Sequence, residues 1–271
     1  MLRKNGIIEN TYTRSRESLH SIISQNLNIY KIILGGIKLA EIIQINDTTW
    51  RIEDNGVRFF LLTGADKALL VDSGRGTPNA KQIAEGITKL PLMLLNTHAD
   101  PDHISGNGSF EYIYMHPAEE GLYRAHGGKG TILPVNDSDI IELGNRPLKI
   151  FYIPGHTPGS IAVLDIKNRA LISGDSVQDG NIFMFGKHRN MSRYLESMKK
   201  LSKYTDEFDT VYPSHGSFPV GPDLIGKLIE GAEQIISGKA QREIIERFGA
   251  PVMLYKFPYA GFLCDVPADK E

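Results

Sequence analysis

The chain is predicted to fold as an α/β protein with two β-sheets and helices outside them, rather than as one doubly wound sheet. Three observations predict it. Short apolar and β-branched runs come first as hairpins, and beyond residue 74 similar runs alternate with helical stretches. The 271 residues are 41% hydrophobic and 23% charged, which suits a large core that needs no covalent staples.

The elements follow in order. Residues 1–27 read as a polar N-terminal extension, in which 15–24 suit a short amphipathic helix with Leu19, Ile22 and Ile23 on one side. Residues 28–271 read as one domain, because no linker is long enough to divide them. Strands are expected at 30–34, 39–45, 49–52, 57–62 and 68–71, separated by turn signals such as Gly35-Gly36, Asn46-Asp47 and Asn55-Gly56. A helix is expected over 78–90, where Ile83 and Ile87 stand four residues apart, and then a buried strand at 92–95. Further strands are expected at 112–115, 140–141, 148–153, 161–164, 170–173 and 210–212, with helices at 118–125 and 191–203. A last long helix is expected over 222–247, interrupted by Gly226, Gly231 and Gly238, before an extended tail at 252–266.

Composition excludes several classes. A net charge of −2 and a pI of about 6.5 give no broad basic face for nucleic acid. No apolar run approaches the roughly 20 residues of a membrane helix. The start carries no secretory pattern, and Cys264 alone cannot form an internal disulfide, so a cytoplasmic setting is expected.

The chemistry concentrates at strand ends. Thr97-His98-Ala99-Asp100-Pro101-Asp102-His103 places four potential metal ligands within six residues directly after an apolar strand. Asp and His are also common in turns, and Asp102 suits a helix cap, but four such residues at this density exceed what a turn needs. Three later strands end the same way, in Pro154-Gly155-His156-Thr157-Pro158-Gly159-Ser160, Ser173-Gly174-Asp175 and Ser214-His215-Gly216. Each alone is weak; together they supply two more imidazoles and another carboxylate.

With Val71-Asp72-Ser73-Gly74 ahead of them, these motifs in this order resemble the metallo-β-lactamase fold superfamily over about residues 29–216. The resemblance implies a four-layer αβ/βα sandwich of two mixed β-sheets flanked by helices, with two divalent transition metal ions at one edge. It implies that His98, Asp100 and His156 hold the first ion, that Asp102, His103 and His215 hold the second, and that Asp175 bridges them. Asp72 matches a position that supports the ligands by hydrogen bonding.

The family pattern commonly has His where Asp100 stands. Counted alone, the three carboxylates and a bridging hydroxide cancel two divalent ions, which suits harder metals, so zinc, iron and manganese are all admitted. The implied activity is hydrolysis of an ester, thioester, lactone or phosphodiester-type bond in a small molecule, with Asp102 orienting the attacking water and taking its proton. The alternative is a di-iron oxidoreductase of the flavodiiron type, reducing dioxygen or nitric oxide, which would need a separate electron donor because no room for a flavin domain follows His215. Lys187, His188 and Arg189 either border the site and meet an anionic substrate group or form a solvated basic turn. Phe183, Met184 and Phe185 line a pocket or belong to the core. His126 is expected on a loop at the cleft, His116 in a local turn contact, His20 on the surface and Cys264 as a packed thiol. The N-terminal segment and the tail are the surfaces offered to a homodimer.

Overall fold

The computed structural model describes residues 20–24, 29–34, 37–76 and 79–266. The first half of the chain forms β1 (His20–Ser24), β2 (Ile29–Leu34), β3 (Ile37–Asn46), β4 (Thr49–Asp54), β5 (Val57–Thr63), β6 (Ala68–Val71), α1 (Ala80–Ile87), β7 (Leu92–Leu95), α2 (Pro101–Ile104), β8 (Tyr112–Met115), α3 (Glu120–Ala125) and β9 (Thr131–Pro134). The second half forms β10 (Ile140–Glu142), β11 (Pro147–Tyr152), β12 (Ile161–Asp165), β13 (Ala170–Gly174), β14 (Asn181–Met184), α4 (Met191–Leu201), β15 (Thr210–Pro213), α5 (Leu224–Ile236), β16 (Glu243–Arg247), β17 (Ala250–Phe257) and β18 (Ala260–Cys264).

Strands β1 to β9 make one sheet in sequence order, antiparallel as far as β6 and parallel from there to β9. The hairpin between β4 and β5 turns on Asn55 and Gly56, both at positive φ, which matches the right-handed twist of the strands. A second sheet has the order β10-β11-β12-β13-β15, and β13 and β15 are parallel. Parallel strands place their C-terminal ends at one edge, which is why the loops after β6, β7, β13 and β15 gather there.

Three apolar layers separate four layers of structure. Phe60, Leu62, Leu69, Val71 and Leu95 of the first sheet pack on Leu148, Ile150, Ile161, Val163 and Ile172 of the second. The other face of the first sheet, with Ile52, Phe59, Leu61 and Leu70, buries Ile83 and Ala84 of α1 and Leu122 of α3. The outer face of the second sheet buries Tyr194, Met198 and Leu201 of α4 and Ile225 and Leu228 of α5. The result is an αβ/βα sandwich.

Several elements differ from the sequence expectation. His20–Ser24 is a strand paired antiparallel with β2 rather than part of a helix, because the sheet edge satisfies its backbone groups; residues 15–19 lie outside the described residues. The long helix expected over 222–247 stops at Ile236. Gly238 takes φ +70° and the amides of Lys239 and Ala240 turn back to Gln234 O, which is a helix C-terminus. Residues 243–247 then form β16. A third sheet, in the order β14-β18-β17-β16, arises from that strand, the two strands of the tail and β14. Neither β9 nor β14 was anticipated.

One buried ion pair ties the sheets together. Arg146 donates to Asp165 Oδ2 through Nε (3.0 Å) and again through Nη2, and also to Thr63 O (2.9 Å) and Thr49 Oγ1 (2.7 Å). Both side chains are buried, and they sit at the end of β5 and β6 opposite the loop that follows Val71.

Candidate metal centre

The loops at the sheet edge are shaped by buried carboxylates. Asp72 leaves β6 at φ +64° and accepts hydrogen bonds from Thr97 N (2.7 Å), Thr97 Oγ1 (2.7 Å) and His103 Nδ1 (2.8 Å). Asp54 accepts from the amides of Arg75 and Gly76, both at 2.8 Å, and closes the turn after β6. Gly74 in that turn has φ +83°, and a Cβ there would lie 2.5 Å from Asp54 Oδ2. Glu119, fully buried, accepts from Ala99 N (2.9 Å) and Gly159 N (2.6 Å), joining the loop after β7 to the loop after β11. Arg58 donates to Pro213 O and Gly216 O and so holds the turn that carries His215.

Asp100 takes the N-cap position of α2 with extended backbone, as the following proline requires, yet its side chain makes no capping bond. Asp102 and His103 lie inside that single turn. Asp102 therefore does not act as a cap, and all three side chains are available to the edge of the sheet.

Seven side chains converge there: His98, Asp100, Asp102, His103, His156, Asp175 and His215. Each imidazole has its Nδ1 committed outward. His156 Nδ1 donates to Phe183 O (2.9 Å), His215 Nδ1 to Gly56 O (2.7 Å) and His103 Nδ1 to Asp72, all oxygens that only accept. His98 Nδ1 donates to Thr97 Oγ1 (3.0 Å), whose own proton goes to Asp72. Four Nε2 atoms are thereby aimed at one space. His98 Nε2 and His156 Nε2 lie 3.2 Å apart, too close for two uncompensated lone pairs. His103 Nε2 and Asp175 Oδ1 are buried 3.2 Å apart, and neither makes a well-aligned hydrogen bond among the described residues. Such orphaned buried donor atoms are what a cation site presents.

Two sets have ligand atoms within 4.8 Å of one another: His98, His156 and Asp175, and Asp102, His103 and His215. Both sets are able to hold a metal ion, and their nitrogen and oxygen donors fit a divalent transition metal. Asp175 Oδ2 also lies 3.4 Å from His215 Nε2 and 3.7 Å from His156 Nε2, so this carboxylate touches both sets. Asp100 belongs to neither set. Its Oδ2 accepts from Arg189 Nη2 at 2.6 Å while facing His156 Nε2 at 3.2 Å and His98 Nε2 at 3.5 Å. Arg189 also donates to His156 O at 2.5 Å.

The electrostatics follow from this crowding. Burial opposes ionisation of Asp175, but His215 and His103 hold its carboxyl well below the usual range. Against the same burial, the facing His156 and His98 rings hold Asp100 well down. Burial works on Asp102 as well, yet His215 and His103 bring its carboxyl to about 2. The three carboxylates are therefore anionic at neutral pH. Burial and the Arg189 charge push His156 down, which favours the neutral ring.

A cavity of about 550 Å³ opens over the cluster, lined by Asp100, Asp102, Asp175 and His215 on one side and by Phe183, Phe185, Lys187, His188 and Phe248 on another. Lys187 and His188 reach the cavity; Arg189 turns inward to Asp100 and is not part of a solvated turn. Phe183 and Phe185 line the cavity, whereas Met184 is buried in core. His126 sits at the mouth and donates from Nδ1 to Ala99 O (2.8 Å). His116 makes the local turn contact, its Nδ1 accepting from Ala118 N (3.2 Å), and also stacks on the distant Tyr152 at 4.0 Å. Burial pushes the half-buried Cys264 thiol up to about 12, as for a packed thiol. The side chain of His20 lies outside the described residues. Sequence reasoning missed Glu119, Arg58, Arg75, Arg247 and Phe248, none of which belongs to a motif; only the acidic start of a helix at Glu119-Glu120 hinted at one of them.

Among the described residues no helix is long and apolar enough to cross a membrane. Known proteins agree with the fold. A metallo-beta-lactamase from Pontibacter korlensis superposes with a TM-score of 0.62 at 16% identity, covering 72% of this chain and 99% of that one. Another from Erythrobacter litoralis gives 0.60 at 18% identity, over 75% and 99%. In sequence, the acyl-coenzyme A thioesterase MBLAC2 of Gallus gallus is 28% identical over 201 residues, 59% of this chain and 73% of its own. A hydroxyacylglutathione hydrolase of Francisella tularensis is 27% identical over 160 residues, 58% of this chain and 61% of its own. The family model of the metallo-beta-lactamase superfamily matches residues 53–215, from β4 through His215, and the chain belongs to that superfamily.

Proposed function

We propose that this protein is a metal-dependent hydrolase whose dinuclear centre cleaves a small-molecule thioester. The observation that carries the reading is the set of four inward Nε2 atoms and three ionised carboxylates at the floor of an open cavity. The thioester class is supported by two relatives whose names specify thioester hydrolysis. Residues 28–271 form the catalytic unit in this reading, and the lone thiol fits a cytoplasmic setting.

His98, His156 and Asp175 would hold one ion and Asp102, His103 and His215 the other, with Asp175 lying against both sets. Metal bound there would supply Lewis-acid chemistry, lowering the pKa of the attacking water and polarising the substrate carbonyl. Asp102, on the cavity wall, orients that water and accepts its proton. Asp72 fixes the tautomer of His103 directly and that of His98 through Thr97. Protonation of the leaving thiolate completes the addition of water across the C–S bond.

Arg189 supports hydrolysis over redox chemistry. Its charge offsets that of Asp100, so the pair leaves the cluster with the charge that a histidine at position 100 would leave. The case for harder, higher-valent metals rested on an uncompensated third carboxylate. With that charge compensated, zinc and water activation are favoured over the di-iron alternative.

Protein purified without added metal is expected to be colourless and to carry about two zinc ions per chain. Chelation is expected to remove thioester hydrolysis in a panel of ester, thioester, lactone and phosphodiester substrates, and zinc to restore it. A coloured iron protein that consumes dioxygen with a reductant, or one that retains none of zinc, iron or manganese, would overturn the reading.

Glu119→Ala leaves the amides of Ala99 and Gly159 without acceptors on either side of the centre. It is expected to weaken zinc affinity by about 10- to 100-fold, the range for outer groups that orient ligands. Competition with a chromogenic chelator measures it, and unchanged affinity would show that the two loops hold their positions without the bridge.

A further inference from the structure

The tip of the β16–β17 hairpin has no part in the metal cluster, yet it hangs over the cavity. Its turn residues are Phe248 and Gly249, at φ +52° and +74°. Such a two-residue turn favours Asn-Gly or Asp-Gly, and a large aromatic ring in the left-handed region is disfavoured. Phe248 is also 73% exposed, so the core does not need it either. Its ring reaches across to Phe183 at 6.0 Å and Phe185 at 6.5 Å, and those two lie 5.7 Å apart. The three rings form one apolar wall of the cavity. That wall adjoins the cluster directly, since Phe183 O accepts from the Nδ1 of His156.

The same cavity collects cations. Arg75, Lys187, Arg189 and Arg247 all line it. Arg189 is committed to Asp100, and Arg75 lies 3.8 Å from Asp102. Lys187 and Arg247 have no carboxylate partner among the described residues; the Arg247 guanidinium sits 5.2 Å from the centre of the Phe248 ring. An apolar wall beside two uncommitted cations, above a centre that breaks a bond, is complementary to an amphipathic anion.

Resting on the thioesterase reading, we propose that this hairpin tip selects the substrate: Phe248, with Phe183 and Phe185, receives the acyl chain, and Lys187 with Arg247 holds an anionic group on the thiol carrier. The substrate class is therefore a medium-chain acyl thioester of an anionic thiol, the anion being a phosphate or a carboxylate. Water adds across the C–S bond, so the acyl carbon gains the oxygen and the carrier leaves as its thiol.

The test compares kcat/KM of the zinc-loaded protein on acetyl and hexanoyl thioesters of pantetheine, 4′-phosphopantetheine and glutathione. Wild type is expected to prefer hexanoyl-phosphopantetheine or hexanoyl-glutathione over hexanoyl-pantetheine by about tenfold. Which charged carrier leads identifies phosphate or carboxylate as the anion. The double variant Lys187→Met, Arg247→Met is expected to erase that preference at unchanged zinc content. Phe248→Asn, which suits the turn, is expected to erase the preference for hexanoyl over acetyl. Turnover of charged and neutral carriers at equal rates by wild type, or an unaltered chain-length preference in Phe248→Asn, overturns the proposal and leaves the hydrolase reading intact. No turnover of any of these thioesters by zinc-loaded protein overturns the thioesterase reading itself.

Discussion

Asp175→Asn is expected to lower hydrolysis by about 1,000-fold or more, in the range seen when one member of a unit that acts together is removed. Asp175 leaves β13 just after Gly174, which takes φ +54° where a Cβ would meet Thr97 Oγ1 at 2.8 Å, so its position is held by backbone. Its oxygens face His103 Nε2 at 3.2 Å and His215 Nε2 at 3.4 Å. Asn keeps the shape and the hydrogen-bonding reach but removes the charge that both ligand sets share. Zinc is expected to fall from two per chain to one or none, with the circular dichroism spectrum unchanged. A variant with wild-type rate and full metal content would sink the shared-carboxylate role, and equal rates at reduced metal would expose a contaminating activity.

Arg146→Met is expected to cost about 3–5 kcal/mol of stability, because removing one partner of a buried pair strands the other charge. Asp165 would keep only its hydrogen bonds from Asn168, while Thr48 O, Thr63 O and Thr49 Oγ1 would lose the guanidinium between the sheets. For a chain of this size the loss corresponds to a melting temperature lower by roughly 10 °C. Arg146→Met with Asp165→Leu is expected to recover much of it, since a well-packed apolar pair replaces the ions. Thermal unfolding of the single and double variants measures both. The pair lies at the far end of the strands from the metal centre, so zinc content is the internal control. A single variant as stable as wild type would show that water reaches Asp165.

The parts legible in the sequence were those encoded locally. An apolar run such as Leu92–Leu95 followed by Thr97-His98-Ala99-Asp100-Pro101 is a strand running into a stiff turn, and it reads as such from its own residues. Repetition of that pattern at His156, Asp175 and His215 was visible for the same reason. The C-terminal part misled because Gly226, Gly231 and Gly238 looked like equivalent interruptions of one helix. Gly226 and Gly231 lie within α5, and only Gly238 takes a positive φ and ends it. Which glycine terminates a helix depends on whether the next segment finds a strand partner, and β16 finds β17.

By itself, the sequence determined the fold class, the family and the ligand-type residues, because strand alternation and Pro/Gly turns act over a few residues. Only the tertiary structure decided how those residues are charged, supported and covered. Arg189 meets Asp100 across 89 positions, and Glu119 meets Gly159 across 40. Phe248 meets Phe183 only through a third sheet whose strands come from separate parts of the chain. Pairings at such separations leave no periodic trace, since they depend on where the folded sheets place the residues in space.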